Sequence, residues 1–218
     1  MKRLILLLSV LLSCALLPAC AAGPGAPASA AGVACDYKAA GRAAKPAQLP
    51  PATGVPNTGT VPYTVRLNDQ PVTVVLDREH APCTVNSFVS LAGQHYFDGT
   101  SCHRLVDGPG LFVLQCGDPT GTGSGGPGYQ FADELTGAET YPAGTLAMAN
   151  AGKGTNGSQF FVVYADSQLP PAYTVFGHTD AAGLSVLSGI AEGGQDGSYP
   201  DGSGKPVLPA VITGIAAG

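Results

Sequence analysis

The chain has 218 residues, 44% apolar and 11% charged, enough for one substantial core and a tail but short for two full domains. Its formal charge is −5 and it has no basic run, which excludes a nucleic-acid partner, because phosphate binding rests on clustered Lys and Arg. With 31 glycines and 19 prolines the chain favours many turns and short strands, so a mainly β domain is expected.

At the amino terminus, Lys2 and Arg3 precede an apolar run from Leu4 to Leu17. That is the form of a secretory leader, and it falls short of the about 20 apolar residues a membrane-spanning helix needs. Leu17-Pro18-Ala19-Cys20 follows and looks like a bacterial lipobox, with residues 1–19 removed and diacylglycerol placed on the Cys20 sulfur. Pro18 departs from the small residue usual there, and Leu11-Leu12-Ser13-Cys14 is a poorer candidate. An ordinary cleaved leader that releases a soluble protein is the competing reading. On either, the domain is expected outside the cytoplasm, and on the first it meets the membrane only through the lipid on Cys20.

Residues 20–34 are almost entirely Ala, Gly, Pro and Ser, the composition of a flexible tether. Residues 35–59 carry Lys38, Arg42 and Lys45 among several prolines and glycines, and are expected to run extended along the domain, fastened by Cys35. From residue 60 the pattern alternates. Tyr63, Val65 and Leu67 share one face, Asn68-Asp69-Gln70 reads as a turn, and Val72, Val74 and Leu76 return, predicting a β-hairpin with one buried face. Val85, Phe88, Val89 and Ala92 have helical spacing behind Pro82, and Gly93 is expected to end that helix. Short strands are predicted near residues 101–105, 113–116, 145–149, 159–163 and 175–178, a second helix over 183–190 and a closing strand over 211–215.

Cys35, Cys83, Cys102 and Cys116 remain once Cys14 and Cys20 are assigned to the leader and anchor. An even set outside the cytoplasm implies disulfides, with three pairings open. A zinc site of Cys102, His103 and Cys116 is the rival, but neighbours on a strand point to opposite faces and no C-x-x-C is present. Neither metal nor cofactor is expected. Gly121-Thr122-Gly123-Ser124-Gly125-Gly126 fits G-x-G-x-x-G, yet Pro127-Gly128 follow it where a nucleotide site needs a helix. No G-x-S-x-G exists, and His80, His95 and His178 are scattered.

The stretches that carry chemistry are Cys102-His103-Arg104-Leu105, Phe112-Val113-Leu114-Gln115-Cys116-Gly117-Asp118, and Leu146 to Phe161 with Ala149-Asn150-Ala151-Gly152 and Gly157-Ser158-Gln159-Phe160-Phe161. Together they resemble the cyclophilin family of peptidyl-prolyl isomerases, over residues 60–218. The resemblance implies a closed eight-stranded antiparallel β-barrel capped by two short α-helices, which suits the predicted elements. It implies that Arg104 is the catalytic arginine and that Gln115 orients it. Ala149, Asn150 and Gln159 would grip the peptide, while Phe112, Val113 and Phe161 would shape a proline pocket. Phe160 and Phe176 are read as ordinary core. Leu169 and Tyr173 stand where many members have tryptophan and histidine, and are expected to complete the pocket. The resembled fold also brings Cys102 beside Cys116, leaving Cys35 for Cys83. The implied activity is isomerisation of X-Pro bonds in unfolded secreted or envelope proteins by a monomer. The alternative is a peptide-binding chaperone or adhesin on the same fold.

Overall fold

The computed structural model describes residues 32–218. The expected leader, the lipidated Cys20 and most of the tether lie outside these residues. The last tether positions lie inside: Val33 donates to and accepts from Val55 (2.9 and 3.0 Å), so the chain is already bound to the domain there. The boundary between tether and bound segment therefore falls earlier than residue 35.

The described strands are β1 (Lys38–Ala39), β2 (Thr60–Leu67), β3 (Gln70–Asp77), β4 (Thr100–Ser101), β5 (Arg104–Gly108), β6 (Leu111–Cys116), β7 (Tyr129–Gln130), β8 (Thr145–Met148), β9 (Phe160–Val163), β10 (Val175–Thr179) and β11 (Val211–Ala217). The helices are α1 (Pro82–Gly93) and α2 (Ala181–Ala191). Nine strands form one sheet in the order β4-β11-β2-β3-β10-β8-β9-β6-β5, with every pairing antiparallel. The count exceeds the eight expected, and the terminal strands β4 and β5 share no ladder. The chain crosses that seam directly instead. Cys102 donates to Ala210 O (2.7 Å) on one side and His103 donates to Gln115 O (3.0 Å) on the other.

Local chemistry explains the elements. The β2–β3 hairpin turns on Asn68 and Asp69, whose φ values of 51° and 63° are both left-handed, as a two-residue loop matched to strand twist requires. Asn and Asp tolerate that region, and Gln70, expected in the turn, is already paired with Leu67. Helix α1 starts at Pro82 and buries Val85, Phe88, Leu91 and Ala92. Its residue before the first turn, Ala81, has no capping side chain. Glu134 takes that role from a distant loop, accepting from the Cys83 and Thr84 amides (2.9 and 2.8 Å) and the Thr84 hydroxyl (2.8 Å). Helix α2 is capped by Asp180, which accepts from the Gly183 amide at 2.9 Å.

The interior packs Phe88, Phe97, Phe160 and Phe176 as a contiguous aromatic group, with Leu76, Leu105, Leu114, Leu146 and Ile212 fully buried around it. Phe160 and Phe176 are thus core. Two disulfides join Cys35 to Cys83 and Cys102 to Cys116. The second takes up both cysteines of the rival zinc site. The first pins the segment of residues 35–59 to α1, where Tyr37 is buried and donates its hydroxyl to Cys83 O at 2.8 Å.

Candidate active site

Strand alternation builds the site. On β5, β6, β9 and β8 one set of side chains enters the interior, and the other set points outward. Register then aligns the outward set into rows. Arg104 pairs with Gln115, Gln115 with Phe161 and Phe161 with Ala147, so four strands deliver one row running from cationic to apolar. The next row pairs Val106 with Val113 and Val113 with Val163.

The apolar end of these rows is a second hydrophobic cluster, separate from the interior. Val106, Val113, Tyr141, Ala147, Phe161 and Val163 are buried in it, with Leu111, Ala149, Leu169, Tyr173 and Val175 packed against them. Phe161 meets Tyr173 edge-to-face at 5.6 Å between ring centroids, and Tyr141 lies 6.3 Å from Phe161 and 6.2 Å from Tyr173. The Tyr141 hydroxyl donates to Tyr173 O (3.0 Å) and accepts from Tyr173 N (3.1 Å), which fixes the backbone of the pocket wall.

Among the residues expected in this pocket, Val113, Phe161, Leu169 and Tyr173 are brought together and Phe112 is not, while Ala149, expected to grip the peptide, packs against the same cluster. Adjacent strand residues point oppositely, so Val113 and Gln115 can face the groove only if Phe112 turns away. The Phe112 ring instead meets Tyr164 edge-on at 5.9 Å, and Leu111, in phase with Val113, occupies the pocket side. Strand alternation around Gln115 was the available signal for Leu111.

The polar end centres on Arg104, whose side chain is 25% exposed. Three of its N–H groups are engaged. Nε donates to Ser203 Oγ (2.8 Å), one terminal nitrogen to Gln115 Oε1 (3.3 Å) and the other to Asp201 Oδ2 (2.7 Å). One N–H on each terminal nitrogen is therefore left without a partner among the described residues. Hydrogen bonds from the Ser203 hydroxyl and amide, reinforced by Arg104, hold the Asp201 carboxyl down at about 2. Asp201 and Ser203 belong to a loop that also covers the β5 edge, where Leu105 donates to Gly204 O at 2.7 Å.

Gln115 donates to Gln159 Oε1 (2.8 Å), and Gln159 donates to the carbonyls of Gly123 and Gly125 (both 2.9 Å). Those glycines sit in the loop that fits G-x-G-x-x-G, which wraps a buried carboxylate. Burial would raise the Asp118 carboxyl, but the Thr120 hydroxyl and the amides of Gly125, Thr120 and Gly123 bond to it and hold it below its usual value. Asn150 donates to Ala172 O (3.0 Å) and so spans from the β8 end to the Tyr173 wall. Beside Gln115, Asn150 and Gln159 lies a cavity of about 570 Å³.

Residues 63–216 match the family model described as cyclophilin type peptidyl-prolyl cis-trans isomerase/CLD. The chain belongs to the cyclophilin family. Among curated cyclophilins, it is 48% identical over 206 residues to the probable peptidyl-prolyl cis-trans isomerase B of Mycobacterium tuberculosis (strain H37Rv), covering 88% of this chain and 66% of that protein. It is 49% identical over 190 residues to the counterpart from Mycobacterium leprae, covering 81% and 64%. The chain thus spans just under two thirds of the length of those relatives. Crystal structures of a Cryptosporidium parvum cyclophilin type peptidyl-prolyl cis-trans isomerase match at TM-score 0.63 and 29% identity, covering 73% of this chain and 98% of that one. A second structure of that cyclophilin, determined in the presence of the dipeptide Ala-Pro, matches at TM-score 0.62 and 30% identity.

Proposed function

We propose that this cyclophilin is a peptidyl-prolyl cis-trans isomerase that binds proline-containing peptides and speeds rotation about the X-Pro bond. The observation that carries the reading is the row Arg104–Gln115–Phe161–Ala147, which sets a cationic donor beside an apolar pocket at the spacing of neighbouring strands. Rotation about the amide faces a barrier of about 18–20 kcal/mol because the C–N bond has partial double-bond character. No bond need be broken. As the amide twists, its nitrogen becomes pyramidal and its lone pair, shared with the carbonyl in the planar form, is localised on nitrogen. A donor that bonds that nitrogen stabilises the twisted form more than the planar one, and only such differential stabilisation raises the rate.

Arg104 suits this role because guanidinium stays charged and offers several N–H groups in a fixed plane. Ser203, Asp201 and Gln115 hold three of those groups, so the fork is oriented before substrate arrives. Val113, Phe161, Leu169 and Tyr173, with Leu111, would bury the proline ring, and Ala149, Asn150 and Gln159 would hold the flanking backbone. We further propose that the protein acts as a monomer outside the cytoplasm on secreted or envelope proteins, held to the membrane by lipid on Cys20.

A protease-coupled assay on an Ala-Pro-Phe reporter, comparing the wild type with Arg104→Ala, tests the activity. Acceleration lost in the variant supports it; a folded wild type that binds the peptide without acceleration would establish the chaperone or adhesin reading instead. Membrane fractionation of wild type and Cys20→Ala tests the anchor, with release of the variant expected and equal fractionation counting against it.

A further inference from the structure

Residues 40–44, which precede the region matched to the family, form one wall of the groove. Ala40 donates to Gly128 O and Ala44 to Gly126 O, each at 2.9 Å, and β1 pairs with β7 immediately before them. A side chain at Gly128 would meet Ala43 at 3.0 Å, so the strap lies tight against the glycine-rich segment. The Cys35–Cys83 bond anchors it on the far side of β1, and Lys45 Nζ donates to the carbonyls of His95, Tyr96 and Asp98 (2.7, 3.2 and 3.2 Å) just beyond it. The strap is thus fixed at both ends.

Through this strap Arg42 reaches the cavity of about 570 Å³ beside Gln115, Asn150 and Gln159. The cavity is otherwise lined by glycine, alanine, Pro127, Tyr129 and neutral polar groups, and among the described residues Arg42 is its single charged residue. Arg42 is exposed on the ridge between this cavity and a smaller one over Thr120 and Ser124, and among the described residues it has no carboxylate partner. The chain as a whole is acidic, at −5. An acidic substrate would therefore meet net repulsion everywhere except where a local cation reverses it.

We propose that Arg42 is a specificity residue that selects peptides carrying an Asp or Glu close to the proline. The inference rests on the groove being the peptide site of the proposed isomerase. The acidic side chain would lie in the cavity while proline occupies the pocket of Phe161 and Tyr173, and the Arg42 guanidinium would pair with its carboxylate. Because Arg42 is exposed, the preference expected is about two- to five-fold, the size of a solvent-accessible ion pair, and it declines with added salt.

The test uses peptides with an Ala-Pro core in which Glu, Gln or Lys stands at each flanking position in turn. Affinity is read by titration, which does not require turnover, and isomerisation by exchange spectroscopy on the same samples. At one position Glu should bind about two- to five-fold tighter than Lys in low salt, the ratio should fall to one or below in Arg42→Ala, and it should invert in Arg42→Glu. Equal affinities at all positions, or a Glu preference that survives Arg42→Ala, would overturn the proposal. If the neutral peptide binds but is not isomerised, the isomerase reading fails, and the affinity ratios still decide the role of Arg42.

Discussion

Removing the two disulfides separately should affect different properties of this molecule. Cys35 and Cys83 are 48 residues apart, and Cys102 and Cys116 are 14 apart. Loop-closure entropy in the unfolded chain makes the longer link worth about 4 kcal/mol and the shorter about 3 kcal/mol. For a domain of this size, at about 0.4 kcal/mol per degree, these become losses of roughly 10 °C and 8 °C in Tm. The double variants Cys35→Ala/Cys83→Ala and Cys102→Ala/Cys116→Ala should be used, since Ser would leave an unpaired hydroxyl in a buried site. Function should follow the opposite order. Cys102 lies two residues before Arg104 and Cys116 directly follows Gln115, so their loss should lower kcat/KM by about tenfold, whereas the other pair should leave turnover of a neutral peptide within about twofold. Urea denaturation and the isomerisation assay on both variants check this. A larger stability loss from the short link than from the long one would refute the entropy argument. Full activity without Cys102–Cys116 would show that strand pairing alone positions the site.

Arg104→Lys should retain charge but reduce kcat/KM by at least about tenfold, because one ammonium cannot bond Ser203, Gln115 and Asp201 and still present donors to the peptide; circular dichroism should be unchanged. Tyr141→Phe removes the hydroxyl that bonds both polar atoms of the Tyr173 backbone, so stability should fall by about 1–2 kcal/mol in urea and KM should rise more than kcat falls. His103 is buried with neither ring nitrogen hydrogen-bonded among the described residues, and burial lowers its pKa from the ordinary 6.5, outweighing the nearby Asp118 carboxylate and Gln159. The folded protein therefore binds that proton less readily than the unfolded chain, so the contribution of His103 to stability is full above about pH 6.5 and declines as pH falls below it, opposite in sign to that of His80, which Asp77 holds above its ordinary value. Denaturation at stepped pH should show that decline, and His103→Phe should flatten it; a slope unchanged in the variant would assign the effect to other groups.

Local patterns carried the hairpin, the first helix and the strands around the site, since alternation and helical spacing are set by residues close in sequence. The partnership of Arg104 with Gln115 came from the family resemblance, and the structure pairs the two residues across the consecutive strands β5 and β6. What was not legible depends on distant contacts. Asp201 reaches Arg104 across 97 residues from a Gly-, Ser- and Asp-rich loop with no periodicity, and Ser203 across 99. Glu134 caps α1 from 50 residues away, in a stretch that reads only as loop. The strap was recognised as extended chain held by Cys35, yet its contact with the glycine-rich segment uses main-chain groups, which leave no mark on side-chain composition. Phe112 was expected in the pocket from the family resemblance, whereas its phase on β6, opposite to Val113 and Gln115, sets its ring against Tyr164.

The bonds from Gln159 to the glycine-rich loop fix more than the position of one side chain. A glutamine amide is polar end to end, and the carbonyls of Gly123 and Gly125 accept only its nitrogen, so its oxygen must face Gln115. Gln115 must then turn its own nitrogen to Gln159 and its oxygen to Arg104. Rotating the Gln159 amide by half a turn would set its N–H groups against those of Gln115 and its oxygen against the glycine carbonyls, and rotating Gln115 would set oxygen against oxygen at Gln159 and leave the guanidinium facing a donor. Two peptide carbonyls at the far edge of the groove thus dictate the polarity of a dipole chain that ends on the cation, and a glycine-rich loop determines which end of Gln115 the Arg104 guanidinium meets.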